Sequence, residues 1–309
     1  IKEKIKSNTK LVHVESPTNP LLELCDIKTT AEICKDKNIL LSVDNTFMSP
    51  YGQRPLDLGA DITMQSSTKS LSGHSDVLGG VLATNDQSIY DKLQFMLKAT
   101  GGVPSPFDNW LTLRSTKTLA LRYQKASDNA SDLANFLSEH PLIKRTIYPG
   151  LNSHPQHKIA IKQQMNPKGE VVFGSMLSID VGEIELRDKF LDKIEIFQLA
   201  ESLGSVESLV CVPFFMTHAA LPDEIKLAYL PSVSCLMLRF TARGSDRLYL
   251  ENLINKSISN LKSLIKLIDL SIPLPFKNIE NRKSFLSINT LFLAIKKIIE
   301  TDKSGGKTY

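Results

Sequence analysis

The chain has 309 residues, 42% of them hydrophobic, enough for a sizeable core divided between two domains. Its 37 Lys and Arg against 33 Asp and Glu leave a formal net charge of +4, and the lysines are scattered, which excludes a dedicated nucleic-acid surface. No apolar run reaches the roughly 18 residues of a membrane helix and no signal peptide opens the chain, so a cytoplasmic protein is expected. In chain order, Leu11–Val14 reads as a strand, and Asp26 caps a helix over Asp26–Lys37 with Ile27, Ala31 and Cys34 on one face. Ile39–Val43, Ile62–Gln65 and Gly80–Thr84 are further strands. Strands alternating with helices predict a parallel or mixed sheet in an α/β domain, with ligands at the carboxyl ends of its strands.

Gly101–Pro106 is a loop in which Pro104 and Pro106 stop any helix. One long helix is expected from Asp108 to about Ser138, with Trp110 in the core. The second domain is expected to hold strands at Glu170–Asp180 and Leu236–Thr241 and helices near residues 185–194 and over 247–268. Leu250, Leu253, Ile254, Ile258, Leu261 and Ile265 line the apolar side of the last helix. After Asp269 the run Ile272-Pro273-Leu274-Pro275-Phe276 breaks the pattern, and a helix over 286–301 is expected in a Lys/Asn/Ile-rich tail. The division is therefore 1–120, 121–268 and a divergent tail, 269–309. Cys25, Cys34, Cys211 and Cys235 form no CxxC pair and no metal-ligand spacing, and are read as reduced core thiols.

The most informative stretch is Gln65-Ser66-Ser67-Thr68-Lys69-Ser70-Leu71-Ser72-Gly73-His74-Ser75-Asp76. A lysine among small hydroxyl residues at a strand end suits a Schiff base with an aldehyde cofactor, provided its amine is kept close to neutral. Ser66 and Thr68 offer hydroxyls to a phosphate, and Gly73 and Gly79-Gly80 permit close backbone approach. Asp44, at the end of an earlier strand, is placed to keep a pyridine nitrogen protonated. Lysine, pyridinium partner and phosphate cradle are the protein parts that pyridoxal 5'-phosphate (PLP) chemistry requires.

Several further segments carry a resemblance. They are Glu15-Ser16-Pro17-Thr18-Asn19-Pro20, Val43–Pro50, Pro104–Asp108, Tyr148–Leu151 with Ser153–His157, and Glu207-Ser208-Leu209 with Met216–Ala219. Together with the lysine segment they make residues 8 to 265 resemble the Cys/Met-metabolism branch of PLP-dependent enzymes, the cystathionine γ- and β-lyases and their relatives. The resemblance implies fold type I: a mostly parallel large domain, here lacking its front, and a smaller α+β C-terminal domain. It implies that Lys69 holds PLP and shuttles protons, that Asp44 pairs with the pyridine nitrogen, that Ser66 and Thr68 bind the phosphate, and that Asn19 touches the phenolic oxygen. Ser208 and Arg239 would hold the substrate carboxylate. Arg239 lies about two residues beyond the family spacing from His218, which leaves Arg243 as a competitor. Glu207 is a candidate for tuning reaction choice, with an exposed helix-end glutamate as the alternative, and His74 and His218 are read as structural.

The implied activity is carbon–sulfur cleavage of cystathionine or a related thioether amino acid, by a homo-oligomer arranged as a dimer of dimers. Ser49-Pro50-Tyr51, Leu199–Gly204 and Tyr148–His157 resemble γ-lyases, whereas Gly204-Ser205-Val206 and Phe215–Pro222 resemble β-lyases. The balance leans to γ-elimination, with β-elimination, a synthase-type replacement or a catalytically incomplete chain as alternatives. Relative to the family, the early strands, the phosphate-binding glycine turn, the ring-stacking aromatic and the tyrosine-arginine arm are missing from this sequence. If Ile1 is the start, exposed apolar surface and weak PLP binding are expected.

Overall fold

The computed structural model describes residues 1–216 and 235–239. The first of its two sheets is built from β1 (Leu11–Glu15), β2 (Leu40–Asp44), β3 (Ile62–Ser66) and β4 (Gly80–Ala83), in that spatial order. β1, β2 and β3 run parallel, and β4 returns antiparallel on β3. Parallel strands need a crossover, and helix α1 (Ile27–Asp36) supplies the one between β1 and β2. Asp26 starts it, its carboxylate accepting the Thr29 N–H at 2.9 Å. Ile27, Ala31 and Cys34 then face Ile39, Leu41 and Val43, and the pairing buries all six. At roughly 1.5–3 kcal/mol for each large apolar side chain removed from water, this layer is what holds β2 and its terminal Asp44 in place.

A short helix α2 (Ser49–Gly52) follows β2. Helix α3 (Gln87–Thr100) was not anticipated from the sequence: Asp86 caps it and Gly101, at φ +70°, ends it. The single helix expected over 108–138 is two, α4 (Pro106–Thr116) and α5 (Leu119–Ser138). Arg122 fixes the break, its guanidinium donating to the Ser115 carbonyl at 3.0 Å and to the Ser70 carbonyl at 2.9 Å. Trp110 is not a core residue. It is 56% exposed and stacks on Phe107 across 5.9 Å. Leu78, just before β4, and Phe95, Phe107, Leu113 and Leu121, on α3, α4 and the start of α5, are exposed with it.

The second sheet has the order β5 (Arg145–Ile147), β6 (Met176–Asp180), β9 (Cys235–Arg239), β8 (Leu209–Cys211) and β7 (Gln198–Leu199). Along β5, β6, β9 and β8 each strand runs antiparallel to its neighbour, and β7 is parallel to β8. The strand expected over Glu170–Asp180 forms only from Met176, because Gly174 at φ +89° turns the chain before it. Ala130, Leu133, Ala134 and Leu137 of α5 pack on Leu177, Ile179, Val210 and Leu238 of this sheet. Helix α7 (Ile184–Leu191) lays Leu186, Phe190 and Leu191 on the same core, while α6 (His157–Gln163) ties through Gln163 to Cys25 and Ile27. The expected helices over 247–268 and 286–301, and residues His218 and Arg243, lie outside the described residues. Sheets with helices on them, the first mostly parallel and the second mostly antiparallel, make an α/β fold as expected.

Candidate active site

Three parallel strands deliver their carboxyl ends to one edge of the first sheet, where ligands collect in open α/β sheets. Asp44 ends β2, half-buried, and its carboxylate accepts the Thr46 N–H at 2.9 Å. Ser66 ends β3, and its own N–H donates to the Thr46 hydroxyl at 2.9 Å. Thr46 thus ties the two predicted cofactor residues together, a part that reading the sequence missed. Its only signal there was a hydroxyl two residues beyond a strand-end aspartate, which is common in turns.

The residues after β3, Ser67–Leu71, form one wide helical turn interrupted at Lys69, whose φ and ψ of −87° and −131° are not helical. Ser67 and Thr68 anchor this turn to the loop before β4. The Gly79 N–H donates to the Thr68 hydroxyl at 3.0 Å, and a β-carbon on Gly79 would stand 2.6 Å from the Ser67 hydroxyl oxygen. On the far side, a β-carbon on Gly73 would meet Arg122, which is why glycine closes the segment there. The half-buried Lys69 projects its amine to the Ser202 hydroxyl at 3.2 Å. Ser202 belongs to the 200–208 stretch of the second sheet, and Gly204 of that stretch lies so close that a β-carbon would fall 2.5 Å from the Ser70 nitrogen.

The same stretch carries Glu207 and Ser208 to the start of β8. Glu207 is not on a helix: it sits half-buried between β7 and β8, with Oε2 buried and unpartnered. The Ser208 carbonyl accepts the Gln198 N–H at 3.0 Å. Arg239 ends β9 with its backbone in register with Leu209, one residue after Ser208. Asn19 lies in the turn after β1, and its side-chain oxygen is buried without a hydrogen-bond partner.

Glu15, the residue that ends β1, was not singled out as a site residue from the sequence. It is the register partner of Asp44. Burial first, and the charge of Asp44 second, push its carboxyl up to about 7. His74 has a structural role, its Nδ1 lying 2.6 Å from the Ser72 carbonyl and 3.4 Å from the Ser115 hydroxyl.

A lysine presented at a strand end, a carboxylate at the neighbouring strand end and a cluster of hydroxyls define an α/β enzyme built for an aldehyde cofactor. The chain belongs to the Cys/Met metabolism PLP-dependent enzymes, whose family model matches residues 1–241. It is 51% identical over 224 residues to the cystathionine gamma-lyase of Dictyostelium discoideum, an alignment covering 72% of this chain and 57% of that protein. Over 225 residues it is 45% identical to the cystathionine beta-lyase of Coxiella burnetii, again covering 72% of this chain and 57% of the relative. A solved structure of cystathionine gamma synthase from Xanthomonas oryzae pv. oryzae in complex with cystathionine matches with a TM-score of 0.72 at 40% identity, covering 76% of this chain and 59% of that one. The chain therefore spans 57–58% of the length of the curated relatives it matches.

PLP is the cofactor of this family, and the residues present fit it. The Lys69 amine, the Asp44 carboxylate and the hydroxyls of Ser66 and Thr68 are the donor set that an aldehyde, a pyridinium and a phosphate require. The Asn19 side-chain oxygen, buried and without a hydrogen-bond partner among the described residues, leaves that amide able to meet a ring substituent.

Proposed function

We propose that the chain provides the PLP and substrate site of a carbon–sulfur lyase that cleaves cystathionine by γ-elimination. The observation that carries this reading is the position of Lys69, set on an interrupted turn at the end of β3 with its amine against the 200–208 stretch. Names such as cystathionine gamma-lyase, at 51% identity, support the thioether substrate and the lean to γ-cleavage. When bound, PLP supplies an electron sink for the charge left at the substrate α-carbon.

Lys69 holds the cofactor and takes the α-proton at Nζ. Asp44 faces the ring nitrogen, Ser66 and Thr68 the phosphate, and Asn19 the phenolic oxygen. Ser208 and Arg239 hold the substrate carboxylate, a task suited to the planar fork of arginine. Glu207, with its unpartnered buried oxygen beside Ser208, biases the choice between β- and γ-cleavage. The products are then cysteine, 2-oxobutyrate and ammonia. The residue division 1–120, 121–268 and 269–309 accompanies this reading, as one α/β unit, one mixed unit and a tail.

The runner-up is β-elimination to homocysteine, pyruvate and ammonia, favoured by 45% identity to a cystathionine beta-lyase; a synthase-type γ-replacement stands third, on the γ-synthase likeness. Incubating the PLP-loaded chain with cystathionine and identifying the oxo acid decides among them. 2-Oxobutyrate supports the proposal, pyruvate replaces it with the β-lyase, and neither product, with turnover of an activated homoserine ester and a thiol, makes it a transferase.

A homo-oligomer, arranged as a dimer of dimers, is part of the same reading. The exposed Leu78, Phe95, Phe107, Trp110, Leu113 and Leu121 support it, since large apolar side chains left in water mark surfaces that pack against protein. A cytoplasmic location fits Cys25 and Cys34, whose thiols are not joined in a disulfide. No helix among the described residues is long and apolar enough to cross a membrane.

A further inference from the structure

Glu15 and Asp44 end adjacent parallel strands in register, so their side chains leave the same face of the sheet, side by side. Each is half-buried. The Asn19 backbone N–H, in the turn that follows, acts on the Glu15 carboxyl in the opposite sense, favouring its anion, but less than burial and Asp44 do. The fold alone does not ask for a carboxyl there, since a strand running into a turn is served as well by a neutral hydrogen-bonding residue.

Two ionised carboxylates side by side in a partly desolvated position repel, and the cheaper state binds one proton between them. Glu15 is the member whose carboxyl is raised, to about 7, chiefly by burial and then by Asp44. The groups facing it are few. Asp44 comes from β2 and the Asn19 N–H from the following turn. On β1 itself His13, two residues earlier, places its Nδ1 3.2 Å from the Ser42 hydroxyl of β2.

We propose that Glu15 is a positioning residue for the cofactor ring: it carries the proton of the Glu15–Asp44 pair, leaving Asp44 as the anion that faces the pyridine nitrogen. The inference rests on the assignment of Asp44 to that nitrogen. It adds a second carboxyl, behind the first, whose charge state sets how strongly Asp44 supports the pyridinium.

The test uses the full chain with and without PLP. In the PLP-free chain, the Glu15 carboxyl carbon, followed by carbon-13 NMR, is expected to titrate at about 7 and to titrate lower once Asp44→Asn removes the neighbouring charge. With PLP, Glu15→Gln keeps a neutral hydrogen-bonding group and is expected to bind within about threefold of wild type, with its visible absorbance losing any pH dependence near 7. Glu15→Ala is expected to weaken binding about tenfold. Titration of Glu15 in the ordinary carboxyl range, or a Glu15→Ala chain that binds PLP and titrates like wild type, overturns the proposal while leaving the PLP site standing. A folded wild-type chain that takes up no PLP overturns both.

Discussion

The Lys69 amine donates to the Ser202 hydroxyl at 3.2 Å, joining residues 133 positions apart and making the second sheet part of the lysine's surroundings. Ser202 holds a left-handed backbone at φ +84°, a conformation that costs a non-glycine residue about 1–2 kcal/mol. Two substitutions separate hydroxyl from backbone. Ser202→Ala removes the hydroxyl and keeps the backbone cost, so PLP uptake is expected to weaken about three- to tenfold. Ser202→Gly removes both, so it is expected to bind PLP as weakly as Ser202→Ala yet melt at a higher temperature, by about 1 kcal/mol of stability. Equal melting of the two variants would show that the conformation carries no strain.

Lys69→Ala tests the centre of the reading. The variant is expected to fold like wild type, because the neighbours Ser67, Ser70 and Leu71 supply the buried contacts of that turn. It is expected to lose the visible absorbance of covalently held PLP. If the chain turns over cystathionine, the rate falls by about 10²–10⁴, the usual worth of a positioned proton-transfer group. An unchanged absorbance band would place the cofactor on another lysine.

Gly204 and Gly101 both adopt positive φ, at +79° and +70°, but only Gly204 has neighbours. A β-carbon on Gly204 would fall 2.5 Å from the Ser70 nitrogen and 2.9 Å from the Lys69 carbonyl carbon, both backbone atoms that cannot rotate away; on Gly101 it meets nothing within 4 Å. Gly101→Ala is therefore expected to cost only the backbone term, about 1 kcal/mol. Gly204→Ala adds overpacking, for about 2–5 kcal/mol in all, and displaces Lys69 enough to impair PLP binding. Urea unfolding of both variants compares the stabilities, and equal midpoints would mean the 200–208 stretch does not press on the lysine turn.

The parts of this molecule legible in the sequence are those in which one short segment decides the structure. Asp26 before an apolar stripe predicts α1, and the apolar run 39–43 predicts a buried strand; both form within a residue of the expectation. Asp44 and Ser66 were expected at strand ends and lie there, with Lys69 on the turn just after β3, because strand ends are set locally. What was not legible depends on distant partners. The break at Lys117–Thr118 is fixed by Arg122 reaching Ser70, and nothing near residue 117 in sequence announces it. Trp110 was expected inside because a large aromatic side chain favours burial, yet α4 has little on its outer side to bury it. Glu15 looked like an ordinary strand-end glutamate until the register set it beside Asp44.

The pH dependence of stability follows from two half-buried acids. Glu15 is raised from 4.5 to about 7, by burial and then Asp44, and Asp132 on α5 is raised from 3.8 to about 6, by burial above all. In the unfolded chain both lose their protons near their ordinary values, while the folded chain retains them to higher pH. Their contribution to stability is therefore fully present below about pH 4 and is lost as pH rises through about 6 for Asp132 and about 7 for Glu15. Solvent screening at partly exposed sites keeps the magnitude modest. In the PLP-free chain, urea midpoints at a series of pH values between 4 and 8 are expected to fall less steeply for Glu15→Gln with Asp132→Asn than for wild type. The two curves should lie closest at the acid end, where wild type is itself protonated at both positions. A wild-type midpoint that climbs relative to the variant between pH 4 and 7 would mean these carboxyls are stabilised as anions, the opposite of what their burial dictates.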